Sequence, residues 1–494
     1  MTIATPHHAT PSSAWVSSGG AAVGERLAAV AAQRGSAPAA IGDGRSMTWR
    51  ELAAAAAAVA DRLHDAVPPG PDRPVVAVPA PTTPETLPLL LGVLSAGLPL
   101  LPLDPRAPAG ERDALLGFVA REHGPVHLLT ADGLEPAATG QGPRPGRKRA
   151  GYLLVTGGSS GLTKVVAAPG PIRYDPRSVP SPLLRRAGWR SGQRQLVAGP
   201  LHHTAPFTSA LDGVLDANTL VLLPVFAPDL LVELVRAESV GWMQVTPAHL
   251  RSVVQLTDAS PADFAGLTGI LHTAAPCDFA TKKAWIELVG PERIAESYGS
   301  TEAIGVTFGR GDEWLARPGT VGRGFLTQVR ILDDASRRLP PGEVGTVYMR
   351  SGRMSVRTSY LGGLSMPTTP DGFATVGDHG WLDPDGYLYL APRRTDLINV
   401  GGENVYPAEV EAALMEHPAV LDAMAVGGPD PILGAVVHAK VVLAHEARVG
   451  RPELVHHCAA RLSPYKVPRT VTFVASVPRS AAGKLERWRM TRGG

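Results

Sequence analysis

Short apolar runs alternate with helical patterns along most of this chain, and few folds accommodate that alternation. Thr48 and Glu51 form a capping box ahead of an alanine-rich helix that sets Leu52, Val59 and Leu63 on one face. PVVAVPA, from Pro74, then reads as a buried strand. The uncharged stretch from Thr86 to Leu103, broken by Pro88, Pro99 and Pro102, reads as a buried helix and a strand, not a membrane span. Strand and helix signals go on alternating, which makes the body α/β. No period of about 20 to 50 residues recurs, which argues against a solenoid or a propeller.

At 494 residues the chain exceeds what one hydrophobic core organises, and its 44% apolar content supports globular folding throughout. Near the far end, PRRTD (Pro392 to Asp396) precedes an apolar strand, the turn GGENVYP, and a helix that Pro407 starts and His417-Pro418 ends. The expected organisation is a loose tail over 1–20, a large composite body of sheets and helices over 21–394, and a small α+β C-terminal domain over 395–494. Lys and Arg total 47 against 45 for Asp and Glu, so a net charge of +2 gives no field for nucleic acid or an anionic membrane. The clusters Arg144 to Arg149 and Arg185 to Arg194 read as solvated loops. Cys277 and Cys458 lie far apart, without metal-ligand spacing, and suit a reducing cytoplasm. MTIATPHHATPSSAW lacks the basic and apolar halves of a signal peptide.

Four segments offer chemistry. TGGSSGLTK (Thr156 to Lys164) follows the apolar strand GYLLV and precedes TKVVAA, so backbone N–H groups, hydroxyls and a lysine are available to wrap phosphate oxygens. It is not a Walker loop, because no Ser or Thr follows the lysine and no helix begins there. In ESYGSTEA (Glu296 to Ala303), Tyr298 offers a stacking face, Thr301 a phosphate donor and Glu302 a hard oxygen for Mg²⁺. In TVGDHGWLDPDGYLYL, Asp378 is placed to accept ribose hydroxyls, whereas Asp383 and Asp385 read as turn formers before Gly386. PRSAAGKLERW carries Lys484 on a polar loop. Each string alone also reads as ordinary structure: a flexible hairpin, a polar turn, a solvated lysine.

Their joint order and spacing resemble the adenylate-forming superfamily of acyl-CoA synthetases, luciferases and peptide-synthetase adenylation domains, from about Ala21 to Met490. PLHHTAP (Pro200 to Pro206), VTPAHL (Val245 to Leu250) and HTAAPC (His272 to Cys277) extend the match to a substrate-side His motif, a Thr-Pro turn and an adenine-contacting strand end. The resemblance implies that Thr156, Ser159, Ser160 and Lys164 handle the nucleotide phosphates and that Thr301 and Glu302 bind phosphate and Mg²⁺. It places Tyr298, Ala274 and Ala275 at the adenine, Asp378 and Arg393 at the ribose, and His203, Phe207 and Gly299 on the acyl side. Lys484 matches the catalytic lysine, Thr395 the hinge of the small domain, and Gly401 and Gly402 the coenzyme A tunnel. The implied cofactors are ATP, Mg²⁺ and coenzyme A.

The phosphate loop departs from the family pattern at Gly157, Thr163 and Val165, where Ser, Pro and Gly are usual. The function expected is therefore an acyl-CoA synthetase acting through an acyl-adenylate. Its alternatives are an enzyme of the same fold that only transfers acyl-adenylate from a partner ligase to coenzyme A, and a non-catalytic binding protein. HTAAPC together with GGENVYPAEVE looks most like the branch that activates fatty, bile-acid-like and other bulky apolar acids. A homodimer is left open.

Overall fold

The computed structural model describes residues 20–67, 73–139, 150–157, 163–352, 359–362, 366–391, 398–400, 403–430, 433–462, 464–479, 485 and 487. Expectations for the tail and for Arg144 to Arg149 lie outside the described residues. The chain divides into two compact units: Met1–Thr273, Thr281–Val329 and Tyr348–Val376 form the first, and Ala274–Ala280, Arg330–Val347 and Gly377–Gly494 form the second.

The first unit holds a nine-stranded and a seven-stranded sheet. In the nine-stranded sheet Arg194–Val197, Thr219–Leu222, Trp242–Val245, Gly269–His272 and Ile294–Glu296 run parallel. Trp242–Val245, Thr219–Leu222 and Gly269–His272 are buried at every residue, as strands covered on both faces must be. In the seven-stranded sheet Val75–Pro79, Leu100–Leu103 and Val126–Leu129 are parallel, and the hairpin of Ala150–Gly157 and Thr163–Pro169 joins them. That hairpin is the strand–loop–strand arrangement read around TGGSSGLTK, with Thr156 opposite Lys164. Thr48 caps the helix Trp49–Ala66 as its sequence predicts, with Glu51 accepting the Thr48 N–H at 2.8 Å. The helix Thr86–Ser95 packs closely on it: a Cβ at Gly92 would meet Val59 Cγ1 at 2.4 Å.

The second unit contains the hairpin of His379–Leu382 and Leu388–Ala391, with Trp381 stacked on Tyr389. Asp383 accepts the N–H groups of Asp385 and Tyr387, the turn role read from sequence. Beyond it, the helix Pro407–Met415 packs on the long hairpin of Val420–Asp430 and Gly434–Leu443, around Val410, Leu414, Ala423 and Val441. Thr470–Phe473 adds a parallel strand. Two bidentate pairs follow: Arg479 on Asp422 at 2.9 and 2.6 Å, and Arg487 on Glu411 at 2.7 Å to each oxygen. They flank Lys484 in sequence, and Arg479 also bridges Leu485. Among the described residues no helix is long and apolar enough to cross a membrane.

Candidate active site

Open α/β sheets bind ligands outside the carboxyl ends of their parallel strands, and here two such ends carry motif residues. Gly269–His272 leads into Ala274, and Ile294–Glu296 leads into Tyr298. The ends are tied together, since the Ser297 N–H donates to the His272 carbonyl at 3.1 Å and the Thr273 hydroxyl donates to the Ser297 carbonyl at 2.8 Å. Lys282, fully buried, donates to Glu296 Oε2 at 3.2 Å and contacts His272 Nε2. Burial pushes the Glu296 carboxyl upward against the pull of Lys282, and it holds His272 well below its ordinary value.

ESYGSTEA folds as a hairpin: the Thr307 N–H donates to the Tyr298 carbonyl at 2.8 Å and Gly299 bridges Val306. The Ala303 N–H then closes a turn on the Ser300 carbonyl at 3.0 Å, with Ala303 at φ +54°. The Thr301 hydroxyl lies 2.8 Å from that of Thr204, the first residue of the helix Thr204–Leu215, so this turn meets PLHHTAP. His203 is the residue before that helix, and its ring lies 4.5 Å from that of His202. Burial lowers the His202 pKa, opposed by Asp104 at 3.6 Å. Phe207 is in the core, edge-on to Tyr152. Asp212, on the same helix, is also buried, and burial raises its carboxyl well above the usual range.

Glu302 is only 8% exposed and accepts a hydrogen bond from the Tyr360 phenol. The Lys164 ammonium stands 5.3 Å from the centroid of the Tyr360 ring. Burial raises the Tyr360 pKa, and its bond to Glu302 adds to the effect, so the phenol stays protonated. The first unit thus brings together Lys164, Thr301 and Glu302, all read from sequence, with Thr204 of PLHHTAP and with Tyr360, which lies in none of the motifs. Ser300 Oγ, in the same turn, is buried without a hydrogen-bond partner among the described residues. Val165 is fully buried and packs in one apolar cluster with Leu153 and Leu361. This departure from the family loop therefore belongs to the core of the hairpin.

Ala274, Ala275 and Asp378 fall in the second unit. Ala274 holds φ +81°, and the Asp378 carbonyl accepts the Val347 N–H at 2.8 Å. Thr156 is described by its strand alone. The expectations for Ser159, Ser160, Arg393, Thr395, Gly401, Gly402 and Lys484 lie outside the described residues.

Residues 27–148 and 141–361 match the family described as AMP-binding enzyme, and residues 409–484 match the AMP-binding enzyme C-terminal domain. The chain is 29% identical over 486 residues to a fatty acid–acyl-carrier-protein ligase of Streptomyces coeruleorubidus, covering 91% of this chain and 92% of that one. It is 31% identical over 475 residues to a feruloyl-CoA synthase of an Amycolatopsis species, covering 91% and 94%. The o-succinylbenzoate CoA synthetase of Bacillus subtilis, solved with its acyl-adenylate intermediate, aligns with a TM-score of 0.78 at 25% identity over 95% of this chain and 98% of its own. The same enzyme with ATP and magnesium ion aligns at 0.77 and 25% identity, over 94% and 99%.

Proposed function

The chain belongs to the family of AMP-binding enzymes, within the adenylate-forming superfamily, and is an ATP-dependent, AMP-forming acid-thiol ligase; from that premise we propose that it converts a bulky apolar carboxylic acid to its coenzyme A thioester through an acyl-adenylate. One observation carries the reading: Lys164 of the first motif and Glu302 of the second, far apart in sequence, engage the same Tyr360.

In the first half-reaction a carboxylate attacks the α-phosphorus of ATP, the bond to the bridging oxygen breaks to release pyrophosphate, and negative charge grows on the phosphoryl oxygens in between. Lys164 and the Thr301 hydroxyl are donors for those oxygens, and Lys484 brings a second cation to the transition state. The turn fits Mg²⁺, because the buried Glu302 carboxylate and the Ser300 Oγ, without a hydrogen-bond partner among the described residues, are hard oxygen groups. Glu302 with Thr301 would hold the ion, which neutralises phosphate charge when bound. Tyr298, Ala274 and Ala275 take the adenine side, Asp378 and Arg393 the ribose, and His203 and Gly299, backed by Phe207, the acid. In the second half-reaction a pivot at Thr395 withdraws Lys484 and brings in Gly401 and Gly402 for the pantetheine. A second reading, transfer of a supplied acyl-adenylate alone, is favoured by Gly157 and Thr163, which alter the phosphate loop.

Separate assays of the half-reactions decide between them. Acid-dependent exchange of pyrophosphate into ATP is expected with bulky apolar acids, and Glu302→Gln and Lys484→Ala should each slow it ~10²–10³-fold. Lys484→Ala should leave thioester formation from synthetic acyl-adenylate nearly intact. Rapid transfer without exchange would select the second reading, and absence of both reactions would overturn each.

A further inference from the structure

Thr204 and Thr301 belong to two motifs 97 residues apart, and their hydroxyl groups meet at 2.8 Å. Thr204 opens the helix Thr204–Leu215, which is buried at Phe207 and at every residue from Ser209 to Leu215. Its carbonyl accepts the Thr208 hydroxyl at 2.8 Å, one turn further along. That end of the helix is therefore a fixed platform. Thr301 lies instead in the short turn that the Ala303 N–H closes on the Ser300 carbonyl. Both threonines are only half-buried, so the pair is not sealed from a ligand.

Each hydroxyl carries one hydrogen and two lone pairs, so within the pair one donates and the other accepts. The two directions stop being equivalent once an anion arrives. An ionised phosphate oxygen accepts a hydrogen and offers none, so a Thr301 that donates to phosphate has no hydrogen left, and only Thr204 then donates across the 2.8 Å contact. A hydroxyl that accepts one bond is the stronger donor in the next, because hydrogen bonds in a chain polarise one another. Without that partner the Thr301 side chain keeps its choice among staggered rotamers, whereas aiming its hydrogen at a given oxygen needs one of them.

We propose that Thr204 is a positioning residue for Thr301: its hydroxyl donates to Thr301 Oγ1 and fixes the rotamer that aims the Thr301 hydrogen at the α-phosphate of the nucleotide. The proposal rests on the phosphate role given above to Thr301. It also refers two seats to one helix start, because His203, on the acyl side, immediately precedes Thr204. Holding the acid and the phosphate from one rigid element keeps the two reactants at attack distance.

Calorimetry of AMP binding in chelator, which needs neither metal nor turnover, is the first readout, and acid-dependent exchange of pyrophosphate into ATP is the second. Thr301→Val should weaken AMP binding about tenfold to a hundredfold, the effect of one hydrogen bond to a charged group. Thr204→Val keeps the shape and removes the hydroxyl; it should weaken AMP binding about threefold to tenfold, as loss of a neutral hydrogen bond does, and slow exchange by a like factor. Thr204→Ser retains the hydroxyl and should bind and exchange as the wild type does. Added to Thr301→Val, Thr204→Val should cost nothing more, since its effect passes through the hydroxyl already removed. A helix that Thr204→Val merely distorted would lose affinity in both backgrounds. Should Thr204→Val fail to fold, Thr204→Ala removes the same hydroxyl and carries the same test. Wild-type AMP binding or exchange in Thr204→Val, an equal loss in Thr204→Ser, or losses that add in the double variant overturn the proposal, and a weakened Thr301→Val then leaves the phosphate role of Thr301 standing. Unaltered AMP binding in Thr301→Val overturns both together.

Discussion

Lys282 donates to Glu296 Oε2 at 3.2 Å with its own side chain at 0% exposure, so the ammonium has left water entirely for one carboxylate and one imidazole. The pair joins the helix Phe279–Val289 to the strand that runs into Tyr298.

Breaking such a pair from one side strands the other charge. Lys282→Met should destabilise the protein by about 3–5 kcal/mol, whereas Lys282→Met with Glu296→Gln should recover much of that loss. Urea unfolding of both variants checks it; equal losses would show that the charge pairing contributes nothing.

His249 stacks on Phe226 at 4.2 Å between ring centroids, and its Nδ1 accepts the Thr246 N–H at 3.4 Å. Burial pushes its pKa down to about 4 from an ordinary 6.5. The folded value lies below the unfolded one, so the stability tied to the neutral ring is complete above pH 6.5 and is lost as pH falls toward 4. The loss runs at up to ~1.4 kcal/mol per pH unit. His249→Gln keeps a cap acceptor and does not titrate, so its stability should fall less steeply over that window. Parallel pH profiles from denaturant unfolding would assign the acid sensitivity elsewhere.

The three departures in the phosphate loop should separate. Val165→Gly empties a fully buried position in the hairpin core and should cost about 2–4 kcal/mol without improving adenylation. Gly157→Ser with Thr163→Pro should improve pyrophosphate exchange at little cost in stability. Faster exchange from Val165→Gly alone would contradict the packing role given to Val165.

Much of this was legible in the sequence. Glu51 three residues after Thr48 announced a helix start, and the apolar runs on either side of TGGSSGLTK announced a hairpin, because caps and buried strands are local signals. Lys164, Thr301 and Glu302 were found because their motifs carry chemistry in adjacent residues. Tyr360 escaped because a two-residue strand has no period to read, and its partner lies 58 residues away. Lys282 did leave a signal. It shares the helical spacing of Trp285, Ile286 and Val289, all buried, whereas the neighbouring Lys283 side chain is 57% exposed. A cation in phase with the apolar face of a helix already implies a buried partner.

The pairing of Arg487 with Glu411 also sets an order in time. Arg487 follows Glu411 by 76 residues, a gap of about 4 to 15 seconds at a synthesis rate of about 5 to 20 residues per second. Throughout that interval the nascent chain holds a carboxylate, destined for 5% exposure in the finished protein, without the guanidinium that pairs with both its oxygens. The pairing that neutralises Glu411 therefore forms only after the ribosome has passed Lys484 and reached Arg487.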